Sequence, residues 1–254
     1  MQLSMRHSEI VQVARDEGRV TVDALARRFG VSAQTIRKDL NALCARRVLT
    51  RSHGGALFPA GSENVGYAER RRIASEEKRA IGRAAAALIP AKASLFLTIG
   101  TTTEAVAEAL GEHEGLLVVT NNINVANRLR LAPAIETIVA GGVVRRSDGG
   151  IVGEAAVDFI RQFKVDFAVI GASAIDEDGA LFDYDFREVK VAQAIIASAR
   201  HVVLVADSTK FERTAPVRVG HLRQVQTFVT DRCPVDAVRR LCRESDVALV
   251  ETAR

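Results

Sequence analysis

Seven short, almost wholly apolar runs recur along the chain, at residues 95–99, 116–120, 136–140, 165–170, 202–206, 227–229 and 248–250, with helical patterns between them. A strand that is apolar on both faces must be covered on both, so this rhythm argues for a mostly parallel sheet with helices packed on either side. Ligands of such sheets bind beyond the carboxyl ends of the strands. The alternation fills only the later part of 254 residues, which is about one and a half typical domain lengths and leaves room for a second unit before it. No apolar run approaches the roughly 18 residues that a bilayer span needs. The first ten residues lack the apolar core of a signal peptide, and the cytoplasm is the expected location.

Charge separates the two parts. The chain holds 35 Lys+Arg and 31 Asp+Glu; the first 58 residues carry 10 and 5 of them, and the remainder 25 and 26. The whole positive excess therefore sits in the first fifth, as expected of a small module that faces a polyanion, joined to a nearly neutral one with another task. Cys44, Cys233 and Cys242 are an odd number without paired short spacing, so neither a disulfide framework nor a zinc site is expected. No metal and no cofactor is expected either.

In the basic module Ile10, Val11 and Ala14 mark a first short helix that ends at Gly18. Thr21 can cap a second, with Leu25, Ala26 and Phe29 on one face and Gly30 as its stop. Ser32 caps a third, in which Ala33, Ile36, Leu40 and Leu43 face inward at steps of three and four, so Gln34, Arg37, Lys38 and Asn41 face out together. Small Ala26, then Gly30, then Ile36 is what two helices crossing through a tight turn require, as in a helix-turn-helix. Arg and Gln can pair bidentately with base edges, and Lys supplies point charge to phosphates. Beyond this helix two short extended runs around Gly54 and Gly55 would form a hairpin wing carrying Arg51 and His53 toward the DNA backbone or minor groove.

Ser32-Ala-Gln-Thr-Ile-Arg-Lys-Asp-Leu40 followed by Arg51-Ser-His-Gly-Gly-Ala56 resembles the winged helix-turn-helix of the DeoR family of bacterial repressors. The resemblance implies double-stranded operator DNA as partner and Ser32, Gln34, Thr35, Arg37, Lys38, Asn41, Arg51 and His53 as its contacts. Two positions depart from the family: Lys38 stands where a second Arg is usual, and Arg47 where Gly is frequent before the wing. The expected organisation is a winged helix-turn-helix at 1–58, a linker rich in breakers at 59–67, and an effector-binding and oligomerisation domain at 68–254. Residues 69–89 read as one helix, capped or kinked near Ser75, that joins the two modules.

The strand ends of the larger module gather glycines and polar groups. Gly100, Thr101, Thr102 and Thr103 lie at a strand-to-helix turn, where free backbone N–H groups, the helix dipole and three hydroxyls converge as in a phosphate cradle. Asn121 and Asn122, Gly141 and Gly142, Gly171 and Ser173, and Lys210 follow the other strands. Jointly they describe a pocket for a small polyhydroxylated anion. These residues are similar to the effector domain of the same family, whose fold resembles ribose-5-phosphate isomerase and related sugar-phosphate enzymes. By that resemblance residues 100–103 hold a phosphate, Asn121 and Asn122 its hydroxyls, and Lys210 the anion. Where those isomerases carry Asp-Gly-Ala-Asp-Glu, this chain has Ile170-Gly-Ala-Ser-Ala174; both aspartates are gone, and with them part of the acid–base machinery. No catalytic residue is assigned.

The stretches 145–154, 158–163, 183–188 and 207–211 resemble the branch of the family that governs glycerol 3-phosphate use, which implies that metabolite as effector. Arg145, Arg146 and Glu154 could line the pocket mouth or form structural ion pairs, and 183–188 could serve as helix capping. The expectation is a repressor acting as a homo-oligomer, dimer or tetramer, on DNA and induced by a phosphorylated metabolite. A sugar-phosphate isomerase with an appended DNA-binding domain is the alternative, and an architectural or activating DNA binder a third.

Overall fold

The computed structural model describes residues 5–17, 19–45, 49–52, 54–57 and 66–252. It divides into two compact units, Met1–Gly61 and Ser62–Arg254.

In the smaller unit three helices, Met5–Glu17, Val22–Phe29 and Ala33–Ala45, close around Ile10, Ala14, Leu25, Ile36, Leu40 and Leu43, each at most 1% exposed. Thr21 caps the second helix by accepting the Ala24 N–H at 3.3 Å, and Gly30 ends it in the left-handed region at φ 62°. That is the conformation a C-terminal glycine tolerates without a Cβ penalty. The wing strands Thr50–Ser52 and Gly55–Leu57 pair antiparallel. A third strand, Arg19–Thr21, pairs with the other side of Gly55–Leu57. Gly55 is required there, since a Cβ would stand 1.9 Å from the Val20 carbonyl oxygen. Gly18, Arg47 and the linker positions 59–65 lie outside the described residues.

The larger unit is built on a seven-stranded parallel sheet. Its order from edge to edge is Ala248–Glu251, Thr227–Thr230, Ala199–Val205, Val165–Ile170, Ser94–Leu97, Leu116–Thr120 and Ile135–Val139. All seven apolar runs lie within or directly beside these strands. Because side chains alternate across a sheet, Phe96, Ala168, Ile170, Val202 and Leu204 fill one core, while Leu95, Leu97, Val169, Val203 and Val205 fill the other. From its start at Ser94–Leu97 the chain lays strands outward on one side, then crosses back to Val165–Ile170 and proceeds the other way. The order reverses between these two neighbours, which makes the crevice at their carboxyl ends the topological switch point. A small antiparallel sheet of Ala174–Ile175, Ala180–Asp183 and Val217–His221 and a hairpin of Val143–Val144 with Ile151–Val152 were not anticipated.

The expected helix over 69–89 is two helices, Tyr67–Arg72 and Ser75–Ala86. Ile73 is extended and Ala74 takes the left-handed conformation at φ 51°, which breaks the helical hydrogen-bond ladder just before Ser75. No helix among the described residues is long and apolar enough to cross a membrane.

Candidate functional site

In the smaller unit the recognition-type helix Ala33–Ala45 behaves as its periodicity requires. Ile36, Leu40 and Leu43 are buried, and Gln34, Arg37, Lys38 and Asn41 are exposed on the opposite face. Ser32 Oγ accepts the Thr35 N–H at 3.2 Å and bonds the Thr35 hydroxyl at 2.9 Å, so both hydroxyls are engaged at the helix cap. Asp39, which directly follows Lys38, is buried and accepts bonds from Arg6 Nε at 2.7 Å and His7 Nε2 at 3.1 Å, and so ties the first helix to the third. Burial alone would raise the Asp39 pKa, but these two partners outweigh it and hold it below the ordinary carboxylate value. Arg51 lies on the Thr50–Ser52 strand, and His53 lies outside the described residues.

In the larger unit the switch point brings together turns that are far apart in sequence. Gly100, with φ 149°, opens the Thr101–Ala109 helix just beyond the Ser94–Leu97 strand. Gly171 and Ser173 follow Val165–Ile170, and Lys210 lies on the short 3-10 turn Ser208–Glu212 after the next strand over. The Lys210 residue is 8% exposed and its ammonium donates no hydrogen bond among the described residues. Burial lowers its pKa to about 7, against the pull of Asp207 and with the push of Arg213, Lys78 and Arg70. Asp207 itself is fully buried, and its Oδ2 has no hydrogen-bond partner. Burial works against its charge, but Lys210, the bond from the Thr209 hydroxyl and Lys78 together outweigh this and keep its pKa low.

Not every predicted residue turns toward this crevice. The Thr103 hydroxyl points back, 2.8 Å from both the Thr98 and Gly100 carbonyl oxygens, and holds the turn. Asn122 caps the helix Ile123–Leu129 by accepting the Asn124 N–H at 2.9 Å and donates to Glu104 at 3.3 Å. Asn121 donates to the Ile151 carbonyl at 3.1 Å, while its buried Oδ1 has no partner and borders a small enclosed cavity with Thr98, Gly171, Asp183 and Glu188. Gly141 and Gly142 leave the edge strand, where Gly142 packs on Ile151. Ser173 donates to Asp183 at 3.1 Å.

Three further groups were missed or read singly. Lys78, 4% exposed, lies on the apolar face of its helix in phase with Ile81 and Ala85. A lysine in register with core positions was the available signal. Burial lowers its pKa to about 8 against the attraction of Asp207, whose Oδ2 is 3.9 Å away. Arg145 gathers three carboxylates from two segments: Asp148 at 2.7 Å, and Glu188 at 2.6 Å with Asp185 at 3.1 Å. Arg70 adds a second cation to Asp148 at 3.0 Å. With Tyr67 and Asp183 these groups line a cavity of about 330 Å³. Burial, together with the nearby Asp183 charge, raises the Glu188 pKa to about 8 in spite of Arg145, and burial raises Asp183 likewise. Arg146 stays exposed, Glu154 pairs with Lys190 at 2.9 Å on the surface, and Asp185 caps the Phe186–Ala197 helix. Among the described residues no group of three His, Cys, Asp or Glu side chains is placed to hold a metal.

A model of the DeoR-like helix-turn-helix domain matches residues 6–61, and one of the DeoR C terminal sensor domain matches residues 73–232. The glycerol-3-phosphate regulon repressor of Escherichia coli K12 is 43% identical over 98% of this chain and 99% of its own length. The protein of the same name from Haemophilus influenzae is 46% identical over 98% of this chain and 97% of its own. Among solved structures, ribose 5 phosphate isomerase A from Neisseria gonorrhoeae aligns over 54% of this chain and 53% of that one, at 14% identity and a TM-score of 0.40.

Proposed function

The chain belongs to the DeoR family, and on that premise we propose that it is a DNA-binding transcriptional repressor whose sensor unit takes a small phosphorylated metabolite, glycerol 3-phosphate. The observation that carries the effector reading is the buried Lys210 ammonium, without a hydrogen bond, at the same switch point as the Thr101–Ala109 helix N-terminus. A phosphate is the ligand class for which a helix N-terminus and a desolvated ammonium are jointly suited. In this reading Gly100, Thr101, Thr102 and Lys210 hold the phosphate, and Asn121 Oδ1 with the Ser173–Asp183 pair meets the hydroxyls. The relatives' names point to glycerol 3-phosphate.

Gln34, Arg37, Lys38 and Asn41 read the operator from the exposed face of Ala33–Ala45, while Arg51 reaches it from the wing. Half-site recognition by such modules works in pairs, so a homo-oligomer acting in the cytoplasm completes the proposal. The regulator reading is favoured over the isomerase alternative because whole-length relatives at 43% and 46% identity bear repressor names. For the metabolite to release DNA it must prefer the sensor arrangement that binds DNA poorly, with a coupling of about 1–3 kcal/mol. The test is a mobility-shift titration of the full chain on the DNA upstream of its own gene. Glycerol 3-phosphate should weaken the complex about 5- to 150-fold and glycerol should not; no retarded complex, or one indifferent to every sugar and polyol phosphate, would refute the proposal.

A further inference from the structure

Building on the effector reading above, we propose that Lys78 is a second ligand of the effector's phosphate, and that in turning to it Lys78 lets go of the Tyr67–Arg72 helix, the segment next to the DNA-binding unit in the chain. The Lys78 ammonium donates to two main-chain oxygens of that segment, those of Arg70 and Ile73, the latter at 2.7 Å. These are carbonyls at the end of a helix, where no intrahelical partner is available, so the ammonium serves as the helix's C-terminal cap. A helix of six residues has little stability of its own and depends on such clamps.

The clamp and the phosphate turn share atoms. The Thr101 hydroxyl, in the first turn of the Thr101–Ala109 helix, donates to the same Arg70 carbonyl at 3.5 Å. Lys78 and Thr101 also line one depression of about 90 Å³. A phosphate seated on this turn competes for both donors at once, and a dianion is a stronger acceptor than a carbonyl oxygen. Asp207, 3.9 Å from the ammonium, holds Lys78 by charge alone and not by a hydrogen bond, an attraction the incoming dianion must outweigh. At its other end the helix is anchored by Tyr67, whose hydroxyl donates to Glu104 at 2.7 Å and accepts from Asn124 at 3.0 Å. Release therefore frees the C-terminal half of the clamp, while the Tyr67 contacts and the Arg70–Asp148 pair keep the segment tethered. The left-handed Ala74 lies between clamp and cap and gives the chain a ready hinge.

Hydrogen exchange on the full chain, with and without saturating glycerol 3-phosphate, tests this. Expected is slower exchange at residues 101–104 together with faster exchange, by about tenfold or more, over residues 70–74, the cost of losing two charge-assisted bonds. Protection at 101–104 with unchanged or slower exchange at 70–74 would overturn the Lys78 proposal and leave the effector reading standing. Absence of any ligand-dependent change at 101–104 would overturn the effector reading, and the Lys78 proposal with it. The Lys78→Gln variant adds an independent arm: its residues 70–74 should exchange fast without ligand, and glycerol 3-phosphate should no longer change its operator affinity. A variant that responds as the parent does would also overturn the proposal; should it not fold, the exchange experiment on the parent chain decides alone.

Discussion

In the DNA-binding unit Gln34, Arg37, Lys38 and Asn41 stand in water over a core sealed by Ile36, Leu40 and Leu43, whereas in the sensor unit Lys78, Asp148, Asp207 and Lys210 are withdrawn from water. The exposed set costs the fold nothing and is available to a polyanion whose sequence it can read. The buried set is held against a desolvation penalty that only partners can offset, which makes it sensitive to the arrival of one more charge. Net charge gave no hint of this. The larger part of the chain is nearly neutral, and its buried cations stand beside carboxylates.

This contrast predicts unequal responses to the loss of a charge. The largest effect is expected for Asp148→Ala, which leaves Arg145 and Arg70 facing one another with their shared carboxylate gone. The sensor unit should lose about 3–5 kcal/mol in urea titration, as when one partner of a buried pair is removed; a loss within 0.5 kcal/mol, the range of about a surface change, would show the network to be solvated. Next, Arg37→Ala should weaken operator binding by about 1–3 kcal/mol while leaving the melting temperature unmoved. Unchanged affinity would remove Arg37 from the reading face. Smallest is Asp39→Asn, where Arg6 is solvent-facing. Its melting shift should be well below that of Asp148→Ala, and a shift as large would mean that the two units do not differ in how they hold charge.

The parallel sheet was legible in the sequence because period-two and period-3.6 patterns are local, and all seven strands announced themselves as apolar runs. The recognition helix was legible for the same reason: Ser32, Ile36, Leu40 and Leu43 fix its phase, and the exposed residues follow. Two classes of feature were not. A cap or kink near Ser75 was legible, but not what holds the chain there, since Lys78 and Thr101 bond the Ile73 and Arg70 carbonyls through contacts that sequence spacing does not encode. The charge network joins Arg70, residues 145–148 and residues 183–188, each of which alone reads as a surface ion pair or a helix cap. Thr103 and Asn122 show the converse, since residues with suitable chemistry for a ligand are occupied in shaping the turn.

Calorimetric titration of the full chain with glycerol 3-phosphate tests whether the buried Lys210 ammonium belongs to an effector site. In the free protein Lys210 keeps its proton only up to about pH 7, and a bound phosphate favours the charged form. Binding above that pH must therefore take up a proton, and affinity should fall as pH rises from about 7 to about 9, by at most about tenfold per unit. Expected are saturable heat, proton uptake visible as a dependence on buffer ionisation enthalpy, and loss of both in Lys210→Gln. Binding that is equally tight at both ends of this range, or that survives in Lys210→Gln, would remove Lys210 from the site.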